Sequence, residues 1–141
     1  MIAIIDYGVG NLFSLKSSLA AIGREAVVTG DRAVLRAASH VILPGVGAFG
    51  DAAARLRAAG MAEAVLEAAA AGKPVLGICL GMQLLLERSF EYGEHPGLGL
   101  IPGEVRPIRD VIPAGLAVPH MGWNALRFPA ERPRSPIFAA L

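Results

Sequence analysis

A single cysteine occurs in the 141 residues, and its neighbours suit it for chemistry. Cys79 lies within Gly72-Lys73-Pro74-Val75-Leu76-Gly77-Ile78-Cys79-Leu80-Gly81-Met82-Gln83-Leu84-Leu85-Leu86-Glu87, with a glycine two residues away on each side. The apolar run Val75 to Ile78 predicts a buried strand of a parallel sheet. It passes without a linker into a helical pattern that carries Leu80, Leu84 and Leu85 on one face. Gly-x-Cys-x-Gly between strand and helix is the thiol form of a nucleophile elbow. So sharp a turn strains the central residue and brings its second neighbours close together, where side chains would collide.

If the elbow forms, the sulfur stands at the carboxyl edge of the sheet, where open α/β folds bind ligands. The following helix points its amide end at the thiol and favours the thiolate. The backbone N–H of Leu80 is placed to stabilise an oxyanion. The structural alternative is a small buried hydrophobe, the ordinary role of a free cysteine. Gln83, one turn into the helix on the Cys79 side, is either a contact for a bound substrate or a solvated helix residue.

A second stretch joins the first. His40-Val41-Ile42-Leu43 predicts a strand that ends in Pro44-Gly45-Val46-Gly47-Ala48-Phe49-Gly50. Gly45 and Gly47 let the backbone turn its amides inward, and such a nest of N–H groups suits an oxyanion. An ordinary Pro-Gly turn is the alternative, and the elbow one crossover later favours the oxyanion loop.

Elements must bring these stretches together. Ile2 to Ile5 predicts a first buried strand. Tyr7-Gly8-Val9-Gly10-Asn11 follows and feeds a helix with Leu12, Leu15, Leu19 and Ile22 on one stripe, closed by Gly23. Gly-x-Gly without a third glycine is a weak dinucleotide signal, so this turn reads as a tight loop at the carboxyl edge near Cys79. Asn11 is a helix cap or a polar contact in the site. Glu25 to Thr29 predicts a second strand, and Asp31 caps a short helix through Ala38. Asp51 through Ala71 is helical and broken near Gly60, with Leu56, Met61, Val65 and Leu66 as its core stripe. Alternating strand and helix specify a doubly wound, mostly parallel α/β sheet with right-handed crossovers.

Beyond Glu87 the glycines and prolines from Gly93 to Gly103 read as loop, and Glu104 to Ile108 as a short strand. Pro119-His120-Met121-Gly122-Trp123-Asn124, which holds the only tryptophan, is a contact surface or a packed surface turn. Arg106, Arg109, Arg127, Arg132 and Arg134 read as a solvated set or as a docking patch.

The bulk numbers bound the class. The length suits one domain, 1–141, and a net charge of +1 provides no field for nucleic acid or an acidic membrane. One cysteine excludes an internal disulfide and a cysteine metal cluster, and fits a reducing cytoplasm. Neither a signal peptide nor a membrane helix is read from the sequence, so a cytoplasmic protein without metal or cofactor is expected. A mean hydropathy of +0.52 fits a sheet covered on both faces together with a partner surface.

Taken together, Asp6-Tyr7-Gly8-Val9-Gly10-Asn11, Leu43 to Gly50, Gly77 to Gln83 and Pro119 to Asn124 resemble the class I (triad) glutamine amidotransferases, a flavodoxin-like fold family. Within that class they resemble the glutaminase subunit of imidazole glycerol phosphate synthase, of histidine biosynthesis. The resemblance implies that Cys79 attacks the side-chain amide of glutamine, giving a thioester and ammonia, and that water then releases glutamate. It implies an oxyanion held by the Leu80 N–H with a reoriented Gly45–Val46 amide, and glutamine bound with help from Gly47 and Gln83. Ammonia would pass to a (β/α)8 cyclase subunit, with Asn11, Trp123 and Asn124 on or near the cyclase-facing side.

The chain departs from the family pattern in one respect. The triad requires a His followed two residues later by Glu, and none of His40, His95 or His120 has a carboxylate at that position. The expectation is an incomplete domain, its C-terminal portion missing, with little turnover by itself and with apolar sheet surface left uncovered. Rival expectations are the glutaminase of another synthase, such as those of anthranilate or pyridoxal phosphate synthesis, and a non-catalytic module that only docks a cyclase. A cysteine peptidase or a stress protein with a similar elbow leaves the Trp123 stretch unexplained.

Overall fold

The structure is a computed structural model that describes residues 1–131 and 133–138. Arg132, read above as solvated or docking, lies outside the described residues. The first half is an alternation of strands and helices: β1 (Ile2–Ile5), α1 (Leu12–Ala21), β2 (Ala26–Thr29), α2 (Arg32–Ala37), β3 (His40–Leu43), α3 (Phe49–Ala58), α4 (Met61–Ala70), β4 (Val75–Gly77) and α5 (Leu80–Leu84). The four strands form one parallel sheet in the order β2-β1-β3-β4, with Ile4 opposite both Val28 and Ile42. This is the expected α/β fold. The strand order reverses direction between β1 and β3, so the loops leaving their carboxyl ends part there and open the crevice in which such sheets bind ligands.

From their second residues on, the central strands β1 and β3 are buried without a break, and alternate residues of each face the helices in one core. Ala3, Ile5, Val41 and Leu43 pack with Leu35, Phe49, Leu56, Met61, Val65 and Leu84, all buried. Asp31 caps α2 as its side-chain type dictates, its Oδ1 accepting from the Ala33 N–H at 2.7 Å. The break at Gly60 is real: its φ of +67° is the left-handed conformation that separates α3 from α4. Leu66, expected in the core stripe, faces solvent beside Glu67. Glu67 bridges Arg32 and Arg36 of α2 at 2.6 and 2.9 Å, and this pairing sets the outer face of α4.

Helix α1 packs on β1 and β2. Leu12, Leu15 and Leu19 are half-buried in the expected phase, but Ile22 and Phe13 are exposed. The elbow strand also differs from expectation. β4 is an edge strand with Leu76 51% exposed, where a fully buried strand was predicted.

Beyond α5 lies a second sheet, β6-β5-β7, made of β5 (Leu86–Ser89), β6 (His95–Pro96) and β7 (Ile101–Val105). The sequence predicts helix through Glu87, loop from Gly93 to Gly103 and a strand at Glu104 to Ile108. The helix instead stops at Leu84 because the returning chain takes its carbonyls. Leu98 N–H donates to Leu84 O and Leu100 N–H to Leu85 O, each at 2.9 Å, and Gly99 N–H donates to Leu86 O at 3.0 Å. Gly97 makes this crossing possible, since a Cβ there would lie 2.0 Å from Leu86 O. The strand at residues 101–105 ends where Pro107 opens a 3-10 turn over Ile108–Asp110.

Candidate active site

Cys79 is the hinge between β4 and α5, with φ 55° and ψ −119°. A non-glycine residue at positive φ is strained by 1–3 kcal/mol as an order of magnitude, and here the packing around it enforces the conformation. Its carbonyl accepts from the N–H groups of Met82 at 3.0 Å and Gln83 at 3.2 Å, which starts the helix at once. Its side chain is exposed at the carboxyl end of the parallel strands, as the elbow requires and contrary to a buried hydrophobe.

The flanking glycines are demanded by backbone contact. A Cβ on Gly81 would lie 1.9 Å from Leu43 O and 3.0 Å from the Pro44 carbonyl carbon. A Cβ on Gly77 would lie 2.5 Å from Met82 Cα. The 1.9 and 2.5 Å distances are shorter than real Cβ contacts, so strand, turn and helix fold back on each other only if both positions are glycine. The Ile78 N–H donates to Leu43 O at 3.0 Å and locks the elbow to the end of β3.

The Pro44 loop therefore lies beside the elbow, as the oxyanion reading expects. Gly45 is buried, and a Cβ there would lie 2.7 Å from Gly81 N and 2.9 Å from Leu80 Cβ. Val46 and Gly47 are exposed, and Gly47 has φ +92° with open space on its Cβ side. The Leu80 N–H opens the first turn of α5, where no intrahelical acceptor exists for it. The helix is five residues long, shorter than predicted, so what it presents to the sulfur is this first turn.

Gln83 is half-buried in a groove of about 580 Å³ that also contains Glu91, Tyr92, Arg106 and Arg109. A larger hollow of about 670 Å³, bounded by Glu87, Arg88, Glu94 and Pro96, lacks a thiol, and its Arg88 is already paired with Glu94 and Glu104.

The other expected residues are distributed as follows. Asn11 is the cap of α1, its Oδ1 accepting from the Ser14 N–H at 3.2 Å. Trp123 is fully exposed, and Asn124 Nδ2 lies 3.1 Å from His120 Nε2. His40 starts β3 at the amino edge beside Ser39, away from the elbow end. His95 belongs to β6, not to a loop, and packs against Gly50 in the first turn of α3. Arg106 is not simply solvated: it binds Glu104 at 2.7 Å and covers the Phe90 ring at 4.6 Å. Arg134 covers the Phe128 ring at 4.2 Å. No group of three or more His, Cys, Asp or Glu side chains suited to a metal occurs among the described residues.

Two residues had no role in the sequence reading. The Tyr7 hydroxyl donates to the Pro44 carbonyl at 2.8 Å, and burial pushes the phenol up to about 12. The available signal was an aromatic two residues after a buried strand. The Glu91 carboxylate accepts from the Phe49 N–H at 2.7 Å and so caps α3 from 42 residues away. Such a contact has no local sequence signature.

Comparison with known proteins agrees with this geometry. Residues 3–110 match the CobB/CobQ-like glutamine amidotransferase domain. The "Imidazole glycerol phosphate synthase subunit HisH" of Sulfurimonas denitrificans is 54% identical over 134 residues, which are 94% of this chain and 64% of that protein. The protein of the same name from Wolinella succinogenes is 49% identical over 142 residues, covering 100% of this chain and 68% of the relative. The chain thus spans roughly two thirds of the length of these relatives. A solved glutamine amidotransferase shares the fold at a TM-score of 0.64 and 23% identity, over 75% of this chain and 56% of that one. The family match over the elbow and the oxyanion loop, with a relative aligned along the whole chain, places it among the glutamine amidotransferases, in the branch of the HisH subunits of imidazole glycerol phosphate synthase.

Proposed function

We propose that this chain carries the thiol half of a glutaminase that supplies ammonia for imidazole glycerol phosphate synthesis in histidine biosynthesis. The Cys79 sulfur attacks the side-chain amide carbon of glutamine. The negative charge that develops on the amide oxygen is met by the Leu80 N–H and by the Gly45–Val46 amide once that peptide has turned inward. Collapse expels ammonia and leaves a γ-glutamyl thioester, which water cleaves to glutamate. Gln83 and Gly47 hold the substrate from the groove side. The residues 1–141 act as one glutamine amidotransferase domain unit, and a cytoplasmic setting suits the exposed thiol. Among the described residues no helix is long and apolar enough to cross a membrane.

The observation that carries this reading is the strained Cys79 turn, closed by Gly77 and Gly81 against the end of β3. The partner is a cyclase subunit that receives the ammonia, with Asn11, Trp123 and Asn124 on the docking side. The exposure of Trp123 and Asn124 supports that assignment.

Among the described residues no histidine is placed to take the thiol proton and deliver it to the nitrogen of the leaving ammonia. His40 and His95 are committed elsewhere in the fold, and His120 contacts Asn124. General acid–base help is worth ~10²–10⁴ in rate, so the 141-residue polypeptide turns over glutamine at most at that fraction of a full triad. A glutaminase assay with and without added cyclase tests this, and full turnover by these 141 residues refutes it. Labelling of Cys79 by the chloroketone analogue of glutamine tests the nucleophile separately. A thiol inert to that reagent, in a chain that still binds cyclase, makes the chain a docking module instead.

A further inference from the structure

The loop that must turn toward Cys79 is anchored by a residue on the other side of the crevice. β1 and β3 are parallel neighbours, so the residues that follow them emerge at one edge, where the strand order reverses. Tyr7 follows β1 and Pro44 follows β3. The phenol is 6% exposed, and its hydroxyl donates across the crevice mouth to the Pro44 carbonyl at 2.8 Å. The same oxygen lies 3.0 Å from where a Cβ on Gly45 would stand, and Gly81 N and Leu80 Cβ close the other sides at 2.7 and 2.9 Å. Gly45 is therefore gripped between the phenol and the elbow. The next residue is free of this grip: Val46 is 53% exposed, and Gly47 faces open space. Beyond it the loop is tied again, where Phe49 N–H meets Glu91.

We infer that Tyr7 is a positioning residue for the oxyanion step: its hydroxyl fixes the Pro44–Gly45 peptide, so that the Gly45–Val46 amide turns toward Cys79 about a fixed pivot. The inference rests on the function proposed above. It also separates the hydroxyl from the ring. The ring fills the core, whereas the hydroxyl reaches one carbonyl, that of the peptide next to the one that turns. Burial holds the phenol protonated far above neutral pH, so it remains a donor throughout the physiological range.

The test uses the whole chain, Tyr7→Phe and two thiol reagents. With the chloroketone analogue of glutamine, the sulfur adds to the ketone and generates an oxyanion. The sulfur then moves to the adjacent carbon: the new C–S bond forms as chloride leaves with the C–Cl electron pair, and the first C–S bond breaks as the oxyanion re-forms the ketone. With iodoacetamide, the sulfur displaces iodide directly and no oxyanion forms. In Y7F the chloroketone rate should fall about tenfold, less than the ~10²-fold that follows loss of an oxyanion donor itself, while the iodoacetamide rate holds. Equal chloroketone rates in wild type and Y7F overturn the inference and leave the proposed function standing. A wild-type thiol that shows no preference for the chloroketone over iodoacetamide removes the proposed function, and the inference falls with it.

Should Y7F fail to fold, a Tyr92→Phe chain carrying an acidified fluorotyrosine at position 7 gives the same answer. The ratio of the two labelling rates cancels thiol ionisation. It should drop as the fluorinated phenol loses its proton with rising pH, and a ratio independent of pH overturns the inference.

Discussion

Gly81→Ala is the most severe single test of the elbow. An alanine Cβ at that position would lie 1.9 Å from Leu43 O and 2.7 Å from the Leu43 carbonyl carbon. Both are backbone atoms of β3, whose Val41, Leu43 and neighbouring Ile42 are all buried. No side-chain rotation relieves the contact, so the first turn of α5 must withdraw from the strand by about 1 Å or more. Overpacking of a core costs 1–3 kcal/mol as a rule, and a clash against two fixed backbone atoms sets the expectation at the upper end, about 3 kcal/mol. Of a total stability of roughly 5–15 kcal/mol that is a large share. The same withdrawal carries Leu80 and Cys79 away from the Pro44 loop. A misplacement of 1 Å at a reacting centre costs on the order of 10²-fold in rate. Urea unfolding reads the first effect and chloroketone labelling the second. Gly72→Ala is the control: Gly72 has φ +74° with open space around its Cβ direction, so it registers only the left-handed backbone penalty of about 1–2 kcal/mol. A Gly81→Ala chain as stable as Gly72→Ala, with its labelling rate intact, refutes the close-packed elbow.

Three further outcomes follow from single contacts. The Tyr7 phenol is raised by burial from 10.0 to about 12. It therefore stabilises the fold fully below pH 10 and loses that contribution as pH rises toward 12, so the stability gap between wild type and Y7F should narrow by about 2 kcal/mol over that window, and a gap constant with pH counts against a buried hydroxyl. The Glu67 carboxyl is held below its ordinary value of 4.5, first by its hydrogen bond to Arg36 and then by the charge of Arg32. Its contribution is present above that value and lost as pH falls below it, so Glu67→Gln should flatten the acid limb of a urea-midpoint profile, and more visibly at low salt. Asp31→Ala removes the side-chain cap of α2 and should cost about 1 kcal/mol of stability, with no change in the labelling of Cys79, since α2 does not reach the elbow loops.

The elbow was legible because Gly77, Cys79 and Gly81 stand at fixed offsets within one strand, one turn and one helix start, although the contact that demands glycine at 81 comes from Leu43 and Pro44 at the end of the neighbouring strand. The cap at Asp31 and the break at Gly60 were legible for the same reason. The end of α5 was not, because it is decided by competition: residues 97–101 return and take carbonyls that Leu84, Leu85 and Leu86 would have given to a longer helix. No pattern within the helix announces that. The edge position of β4, with Leu76 half exposed, depends on which strand lies beside it, and an apolar tripeptide reads the same at an edge as at the centre of a sheet.

The two ends of the oxyanion loop show where such reading stops and why. At its centre the loop meets the elbow backbone to backbone, and a missing Cβ at Gly45 records the contact in the sequence. At its ends it is held by side chains from elsewhere, by Tyr7 across 37 residues and by Glu91 across 42. A side-chain tie of that kind can come from any position that the fold brings near, so it leaves no spacing to find. The two kinds of contact should also fail differently. Adding a methyl group at the centre displaces the nucleophile together with its loop and lowers stability and labelling together. Removing a hydroxyl at the end leaves the packing in place and lowers only the reactions that generate an oxyanion. A site in which both substitutions slow chloroketone and iodoacetamide alike has no separable pivot, and its loop is then held by packing alone.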